Sequence, residues 1–446
     1  MDCDVIVVGL GPGGEEVAGR LAEAGLNVVG IEAELLGGEC PYWGCIPSKM
    51  MVRAAELLAE GRRIPGMAGT STVTPDWAPL ARRIREEATD TWDDKVAVDR
   101  FVGKGGHFIR GRATLTGPSS VEVNGETITA SRALVIAAGQ KAWVPPMFEA
   151  VPHWTNRGAI AAETLPDSLL VIGGGAIGLE IGQAMSRFGT AVTIVEIGPR
   201  LAGPEEPEAS ELITDAFKAE GIAVHTGVEI TSVEPWGEAG TGATVHLADG
   251  ISLSGERMLV ATGRRSDLKS LGVGALGLDE SARSVPVDSR MRVMPGVWCV
   301  GDIAGQGAFT HVAMYQARIC VHDILGQPIA EADYRALPHV TFTDPEIGSV
   351  GLTEAQARQN NAGGVSVYQG SITKSTRGWI AQREGFIKLV AQDGVIVGGT
   401  SMGPEGGEIL GLLALAVHAR ISVATLKEMI YAYPTFYRAI DSALWS

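Results

Sequence analysis

Two cysteines five positions apart, Cys40 and Cys45, lie in the run Gly37-Gly38-Glu39-Cys40-Pro41-Tyr42-Trp43-Gly44-Cys45-Ile46-Pro47-Ser48-Lys49, where the chain concentrates its reactive groups. A thiol at the first turn of a helix feels the positive end of the aligned peptide dipoles, and a lysine nearby adds to that field; both favour the thiolate. Pro47 marks the start of a helical stretch over 50–60, because proline fits the first turn of a helix. Cys45 is therefore the candidate thiolate, with Lys49 beside it. On one regular helix the two side chains would point about 140° apart, but Pro41 and Gly44 argue for a broken entry that brings the sulfurs together. The reading is a redox-active pair. Metal binding is the rival, yet no histidine lies nearby and two thiolates alone make a poor zinc site, so no metal is expected.

The elements that must position this run form a pattern that occurs twice. An apolar strand over 4–8 leads into Gly9, Gly11 and Gly14, a helix to about residue 24, a second strand over 28–31, and Glu32. The first glycine permits a tight turn, the second lets a pyrophosphate approach the backbone, and the third lets helix and strand pack closely. The carboxylate is placed to accept from a ribose hydroxyl. The same order recurs as a strand over 169–172, then Gly173, Gly175 and Gly178, a helix over 177–188, a strand over 191–195, and Glu196. Two dinucleotide units imply two nucleotides, and a protein that holds two usually passes electrons between them. Each unit closes on a buried-strand run ending in small residues, at Gly139 and at Gly263; Val297-Trp298-Cys299-Val300-Gly301-Asp302 is a further strand, followed by a helix over 310–325. After Pro338 the pattern turns β-rich, with strands expected over 339–342, 386–391 and 394–399 and helices over 410–419 and 422–430. The fold class is α/β: two Rossmann-like dinucleotide-binding domains and a C-terminal α+β domain.

With 446 residues the chain has room for about three domains. Lys plus Arg is 36 against Asp plus Glu at 52, a net charge of −16, which repels nucleic acid and anionic lipid surfaces. No apolar run approaches the roughly 20 residues that span a bilayer. The start Met1-Asp2-Cys3-Asp4 enters a strand without a basic leader, so a cytoplasmic protein is expected. Five cysteines in so long a chain are too few for a disulfide framework.

These motifs together resemble the flavin-dependent pyridine nucleotide-disulfide oxidoreductases, the family of dihydrolipoamide dehydrogenase, glutathione reductase and mercuric reductase. The run from Gly37 to Lys49 is close to the family's G-G-T-C-x-N-x-G-C-I-P-S-K, with Glu39 in place of Thr and Tyr42 in place of Asn. Gly301-Asp302, the segment over 342–354 and Pro434-Thr435 add to the likeness, which covers nearly the whole chain. The resemblance implies FAD held by Gly9, Gly11, Gly14, Glu32, Lys49, Ala113, Gly139, Asp302 and Thr310, and a nicotinamide nucleotide on Gly173, Gly175, Gly178, Glu196 and Gly263. It implies domains at 1–150 and 271–333 (FAD, in two parts), 151–270 (NAD) and 334–446 (dimerisation), and hence a homodimer. Cys45 would face the flavin, Cys40 would be the outer thiol that meets a small-molecule acceptor, and Lys49 would pair with Glu180; the alternative for Glu180 is a solvated helix charge. Glu196 favours NADH over NADPH, because a carboxylate repels a 2′-phosphate; Arg200, four residues on, is the complication.

One departure bears on specificity. Where the family's disulfide reductases carry His-Pro-Thr-x-x-Glu, this chain reads Tyr433-Pro434-Thr435-Phe436-Tyr437-Arg438. A phenol with an unperturbed pKa near about 10 is a poor base at neutral pH, and a guanidinium cannot orient an imidazole. The expectation is an enzyme that resembles dihydrolipoamide dehydrogenase with altered specificity, passing electrons from NADH through FAD and the Cys40–Cys45 disulfide to a disulfide or other small acceptor, with Tyr433 as the residue in the base position. The competing readings are an NADH:quinone or diaphorase-type reductase, a mercuric-reductase-like enzyme, and a flavoprotein kept as a scaffold. Mercuric reductases carry a C-terminal cysteine pair, whereas this sequence ends Asp441-Ser442-Ala443-Leu444-Trp445-Ser446. Tyr42, Trp43, Phe436 and Tyr437 are expected at the site, where an aromatic lining suits a flat or apolar acceptor. His311 and His339 are read as packed or surface residues.

Overall fold

A computed structural model describes residues 1–237, 240–360 and 363–445. The chain divides into two compact units, one built from Met1–Ser48, Ala81–Trp143 and Gly263–Asp333, the other from Lys49–Leu80, Val144–Thr262 and Tyr334–Ser446.

The first unit is organised around a sheet in the order Arg292–Met294, Val297–Cys299, Glu126–Ile136, Asp2–Val8, Val28–Glu32, His107–Arg110. The strand Asp2–Val8 lies between Glu126–Ile136 and Val28–Glu32, parallel to both. Strands buried on both faces must be apolar throughout, as in parallel sheets with helices on each side, and Val5, Ile6, Val7 and Val8 are all buried. The helices Pro12–Glu23 and Thr310–Leu325 pack against one another. Gly13 makes the close approach possible, since a Cβ there would sit 3.2 Å from the Ala313 methyl.

The second unit contains the repeated pattern and the C-terminal elements. Its parallel sheet runs Ala223–Thr226, Ala191–Glu196, Ser168–Ile172, Arg257–Val260, and the helix Ala176–Arg187 follows the second glycine loop. A three-stranded antiparallel sheet (Ile230–Trp236, Gly242–Leu247, Ser252–Gly255) adds to it. This sheet was not expected from sequence, because its outer strands are largely exposed. The C-terminal portion is a five-stranded antiparallel sheet in the order Pro338–Thr341, Glu346–Gly351, Val395–Gly403, Phe386–Gln392, Val365–Ser371. The expected strands are present, and Glu346–Gly351 and Val365–Ser371 join them. Helices Gly406–His418 and Ala439–Leu444 cover this sheet through Leu410, Leu413, Ile440 and Leu444. The architecture is the α/β class read from the sequence.

One carboxylate organises the polar interior of the second unit. Asp344, 8% exposed, accepts from Arg63 Nη2 at 2.6 Å and Arg187 Nη2 at 2.8 Å and pairs with Arg383. Gln183 brackets its backbone by donating to the Asp344 carbonyl and accepting from its N–H, at 2.9 and 2.8 Å. Glu60 and Glu220 bind the same arginines, so three cations face three anions. Such a network is stabilising only while all members are satisfied.

Candidate active site

The two cysteines stand on separate helices. Glu39–Trp43 is a single short turn, Gly44 breaks it at φ −133° and ψ −114°, and a 19-residue helix Cys45–Arg63 begins at Cys45 itself. It starts earlier than the sequence suggested: the Ser48 N–H donates to the Gly44 carbonyl at 3.0 Å, closing the first turn around Cys45. The break turns Cys40 back onto Cys45. Both are thiols here. The contact with Cys45, followed by burial, pushes the Cys40 thiol far above its ordinary range, and Thr310 opposes the shift. Cys45 is the cysteine at the first residue of the long helix, where the positive end of the peptide dipoles favours a thiolate. Thr310 Oγ1, at the start of Thr310–Leu325, is 3.5 Å from Cys45 Sγ. Cys45 is exposed and Cys40 half-buried.

The glycine loops behave as a matched pair. A Cβ on Gly9 would lie 2.5 Å from the Ala137 carbonyl oxygen, and one on Gly14 would lie 2.0 Å from the Gly9 oxygen. In the second loop a Cβ on Gly173 meets the Ala261 oxygen at 2.4 Å and one on Gly178 meets the Gly173 oxygen at 2.2 Å. The polypeptide itself excludes side chains at these four positions. The middle glycines differ. Gly11 (φ −65°, ψ −178°) and Gly175 (φ −87°, ψ 177°) have ordinary extended backbones, and a Cβ on either meets nothing within 4 Å. The fold does not need glycine there, whereas a phosphate lying on the helix N-terminus does. The residues present therefore fit a dinucleotide in each loop.

The acidic residues repeat the correspondence. Glu32 accepts from the N–H groups of Leu10 and Glu34 at 2.7 and 2.8 Å, and Glu196 accepts from those of Gly174 and Gly198 at 2.6 and 2.5 Å. Each carboxylate ties its own glycine loop to the end of the adjacent strand. Asp302 follows Gly301 (φ +83°) and pairs with Arg264 at 2.9 Å; burial pushes its carboxyl up, against the pull of that guanidinium. Ala113 is buried in the core of the first unit, so only its backbone is available to a ligand. Gly139 (φ +66°) and Gly263 (φ +122°) each occupy a conformation that favours glycine, with open space where a Cβ would be.

Within the second unit, Lys49 Nζ is 2.5 Å from Glu180 Oε2 and 4.5 Å from the centre of the Phe342 ring, and the Phe342 N–H donates to Glu180 Oε1 at 2.9 Å. Glu180 is buried, which rules out the solvated helix charge. Arg200 donates to the carbonyls of Gly203 and Glu205 at 2.6 and 2.8 Å. Tyr433 is 66% exposed; its hydroxyl donates to Thr376 Oγ1 at 3.2 Å, and the Arg438 guanidinium stands 5.6 Å from its ring centre. Phe436 and Tyr437 pack on the C-terminal core. His339 meets Glu205 at 2.8 Å and His311 stacks on Phe309, so both have packing roles.

Sequence reasoning missed Trp92. A π-helical turn, Ile84–Ala88, ends at the buried Thr89, and Asp90, Thr91 and Trp92 then take φ of +49°, +56° and +58°. Left-handed backbone costs an L-residue roughly 1–2 kcal/mol, and three occur in succession. The turn lays the Trp92 indole on Trp43, with ring centres 5.2 Å apart and planes 18° from parallel. Its Nε1–H is buried without an acceptor, a further cost of about 1–3 kcal/mol. Stacking returns only about 0.5–1.5 kcal/mol, so contact with Trp43 does not by itself balance the strain. Tyr42, beside Trp43, is buried, and burial pushes its phenol up. The one sequence signal was the density of Trp and Asp over 90–94.

The middle glycine supplies a test. Gly11→Val is expected to fold with an unchanged far-UV circular dichroism spectrum and melting point within a few degrees, and to lose its visible flavin absorbance. Gly14→Val is expected to fail to fold. A Gly11→Val protein that keeps its flavin contradicts the assignment of this loop.

Residues 3–317 match the family described as pyridine nucleotide-disulphide oxidoreductase, and residues 337–444 match that family's dimerisation domain. The dihydrolipoyl dehydrogenases of Chlorobaculum tepidum and Thermus scotoductus are each 32% identical over 99% of this chain and 96% of their own. The crystal structure of LpdA from Mycobacterium tuberculosis superposes with a TM-score of 0.86 at 24% identity over 99% of both chains, a likeness of fold. Among the described residues no helix is long and apolar enough to cross a membrane. A match that takes in both glycine loops and the redox run, and continues through the C-terminal sheet, makes this chain a member of the pyridine nucleotide-disulphide oxidoreductases, which use FAD and a pyridine nucleotide.

Proposed function

We propose that the protein is a cytoplasmic homodimer that oxidises NADH and uses the electrons to reduce the Cys40–Cys45 disulfide, from which they pass to a small acceptor other than a dihydrolipoamide-type thiol or disulfide. The observation that carries this reading is the placement of Cys45 as the first residue of a long helix, with Cys40 on the short turn that Gly44 breaks from it. FAD, when bound, supplies a two-electron relay between the nicotinamide and the sulfurs. Gly9, Gly11, Gly14, Glu32, Ala113, Gly139, Asp302 and Thr310 hold it, with Lys49 kept in place by Glu180. Cys40 acts as the outer thiol once Cys45 is covered by this cofactor. Gly173, Gly175, Gly178, Glu196 and Gly263 hold the nicotinamide nucleotide. The large exposed side chains Trp379, Ile430, Tyr433 and Trp445 of the C-terminal portion provide a surface of the kind a second copy covers.

Two features of specificity follow. Arg200 donates through Nη2 to two backbone carbonyls, and Glu196 stands at the end of its strand, so the group that a 2′-phosphate meets first is a carboxylate. Steady-state kinetics are expected to give a kcat/KM at least several-fold higher with NADH than with NADPH; the opposite order overturns this part of the reading.

At the acceptor end, Tyr433 and Arg438 engage each other where the family resemblance calls for a proton-shuttling imidazole and its orienting carboxylate. General-base catalysis contributes roughly 10²–10⁴-fold, so NADH is expected to reduce the flavin rapidly while dihydrolipoamide turnover lies below that of a histidine-bearing relative by about that factor. Tyr433→His together with Arg438→Glu is expected to raise dihydrolipoamide turnover by more than the product of the single changes, since each alone leaves the dyad incomplete. Brisk dihydrolipoamide oxidation by the unaltered protein contradicts the proposal.

A further inference from the structure

The helix Ala176–Arg187 carries Glu180, Gln183 and Arg187 at a spacing that places them on one face, and all three address a single stretch of chain, Phe342 to Asp344. Glu180 is held at both oxygens, by the Phe342 N–H at 2.9 Å and by Lys49 Nζ at 2.5 Å. Phe342 also meets the other member of that pair, since its ring centre lies 4.5 Å from Lys49 Nζ. The position of one residue therefore sets both ends of the ion pair. That position is fixed two residues on, where the buried Gln183 amide accepts from the Asp344 N–H at 2.8 Å and donates to its carbonyl at 2.9 Å. The arginines hold Asp344 by its side chain; Gln183 holds its main chain. The stretch borders a cavity lined by Val52, Ala55 and Ala184, so on that side hydrogen bonds rather than close packing keep it in place.

We propose that Gln183 is a positioning residue for the reductive half of the reaction: it clamps the Asp344 main chain and so sets where Phe342 places the Lys49 ammonium. The inference rests on the reading above, which puts Lys49 at the flavin. Gln183 carries no charge, so it acts on Lys49 and Glu180 through the backbone it holds. Its amide also donates to Glu220 Oε1 at 3.1 Å, which ties the clamp to the arginine network around Asp344. A cation kept in one place stabilises negative charge that arrives with a hydride without having to reorganise, whereas one that swings loses that advantage. The buried network thus has a use beyond stability, because it seats the stretch that carries Phe342.

The test uses the flavin-loaded protein and Gln183→Met, which keeps the length of the side chain and removes both hydrogen bonds. Stopped-flow reduction of the flavin by NADH is expected to slow at least about 10-fold, since a misplacement of about 1 Å can cost ~10² in rate. In a Lys49→Met background the same change is expected to alter the rate less than about 2-fold, because the pair through which it acts is already gone. A second readout involves no turnover. In protein carrying isotopically labelled lysine, the ε-methylene protons of Lys49, assigned by their loss in Lys49→Met, feel the ring current of Phe342, and Gln183→Met is expected to shift them toward the exposed lysines. The same factor in both backgrounds, an unchanged rate, or a Lys49 resonance that does not move refutes the positioning role. If Gln183→Met does not fold, Gln183→Glu, which retains the acceptor for the Asp344 N–H, is expected to give the same pattern to a smaller extent; failure of both to fold refutes a role separable from stability. Flavin that NADH does not reduce in the unaltered protein overturns the proposed function, and the Lys49 resonance then decides the positioning alone.

Discussion

Two sulfurs five residues apart come together only if the helix that carries them is broken, and Gly44 is the break. Everything else at the site depends on it. Because the chain reverses at Gly44, Cys45 becomes the first residue of a long helix and takes the full effect of its positive end. Cys40 is half-buried, and its contact with Cys45 together with burial pushes its thiol up. The parallel strands and their paired glycine loops then serve to hold nucleotides at fixed places, and Thr310 meets the sulfurs from another helix of the same unit. A continuous helix through this run would keep the same cysteines and lose their chemistry.

Much of this was legible in the sequence because it is local. Gly9, Gly11 and Gly14 are placed by the turn they make, and the steric contacts of Gly9 and Gly14 are with backbone a few residues away or on the neighbouring strand. The same holds for the second loop, and for Gly44, where a glycine between two cysteines was reason enough to expect a distorted entry. What could not be read is what depends on distant residues or on unfavourable backbone. Asp344 gathers arginines from positions 63, 187 and 383, and no spacing rule links them. The left-handed run at Asp90, Thr91 and Trp92 runs against propensity, since threonine and tryptophan are poor residues for positive φ, and so leaves no favourable signature. The polar strand Ser252–Gly255 lacks the apolar alternation by which strands are recognised.

The departures from the family pattern share one chemical direction. Where the family pattern has an imidazole and a carboxylate, this chain has Tyr433 and Arg438, which meet in a cation–π contact and also bind Thr376 and Asp441. On the other side, Tyr42 and Trp43 make the redox run itself more aromatic, and Trp92 adds a third ring at the cost of backbone strain. The two glycine loops, the Lys49–Glu180 pair and the two cysteines thus keep the family pattern, while Tyr433 and Arg438 depart from it.

The central claim is that, once the disulfide is reduced, Cys45 is the thiolate that faces the flavin and Cys40 is its protonated partner. Anaerobic titration of the flavin-loaded Cys40→Ser and Cys45→Ser proteins, followed at the long-wavelength thiolate-to-flavin charge-transfer band, tests it most directly. Cys40→Ser is predicted to show the band, and Cys45→Ser to lack it at any degree of reduction by NADH. A band that persists in Cys45→Ser and vanishes in Cys40→Ser would contradict the account and exchange the roles of the two sulfurs.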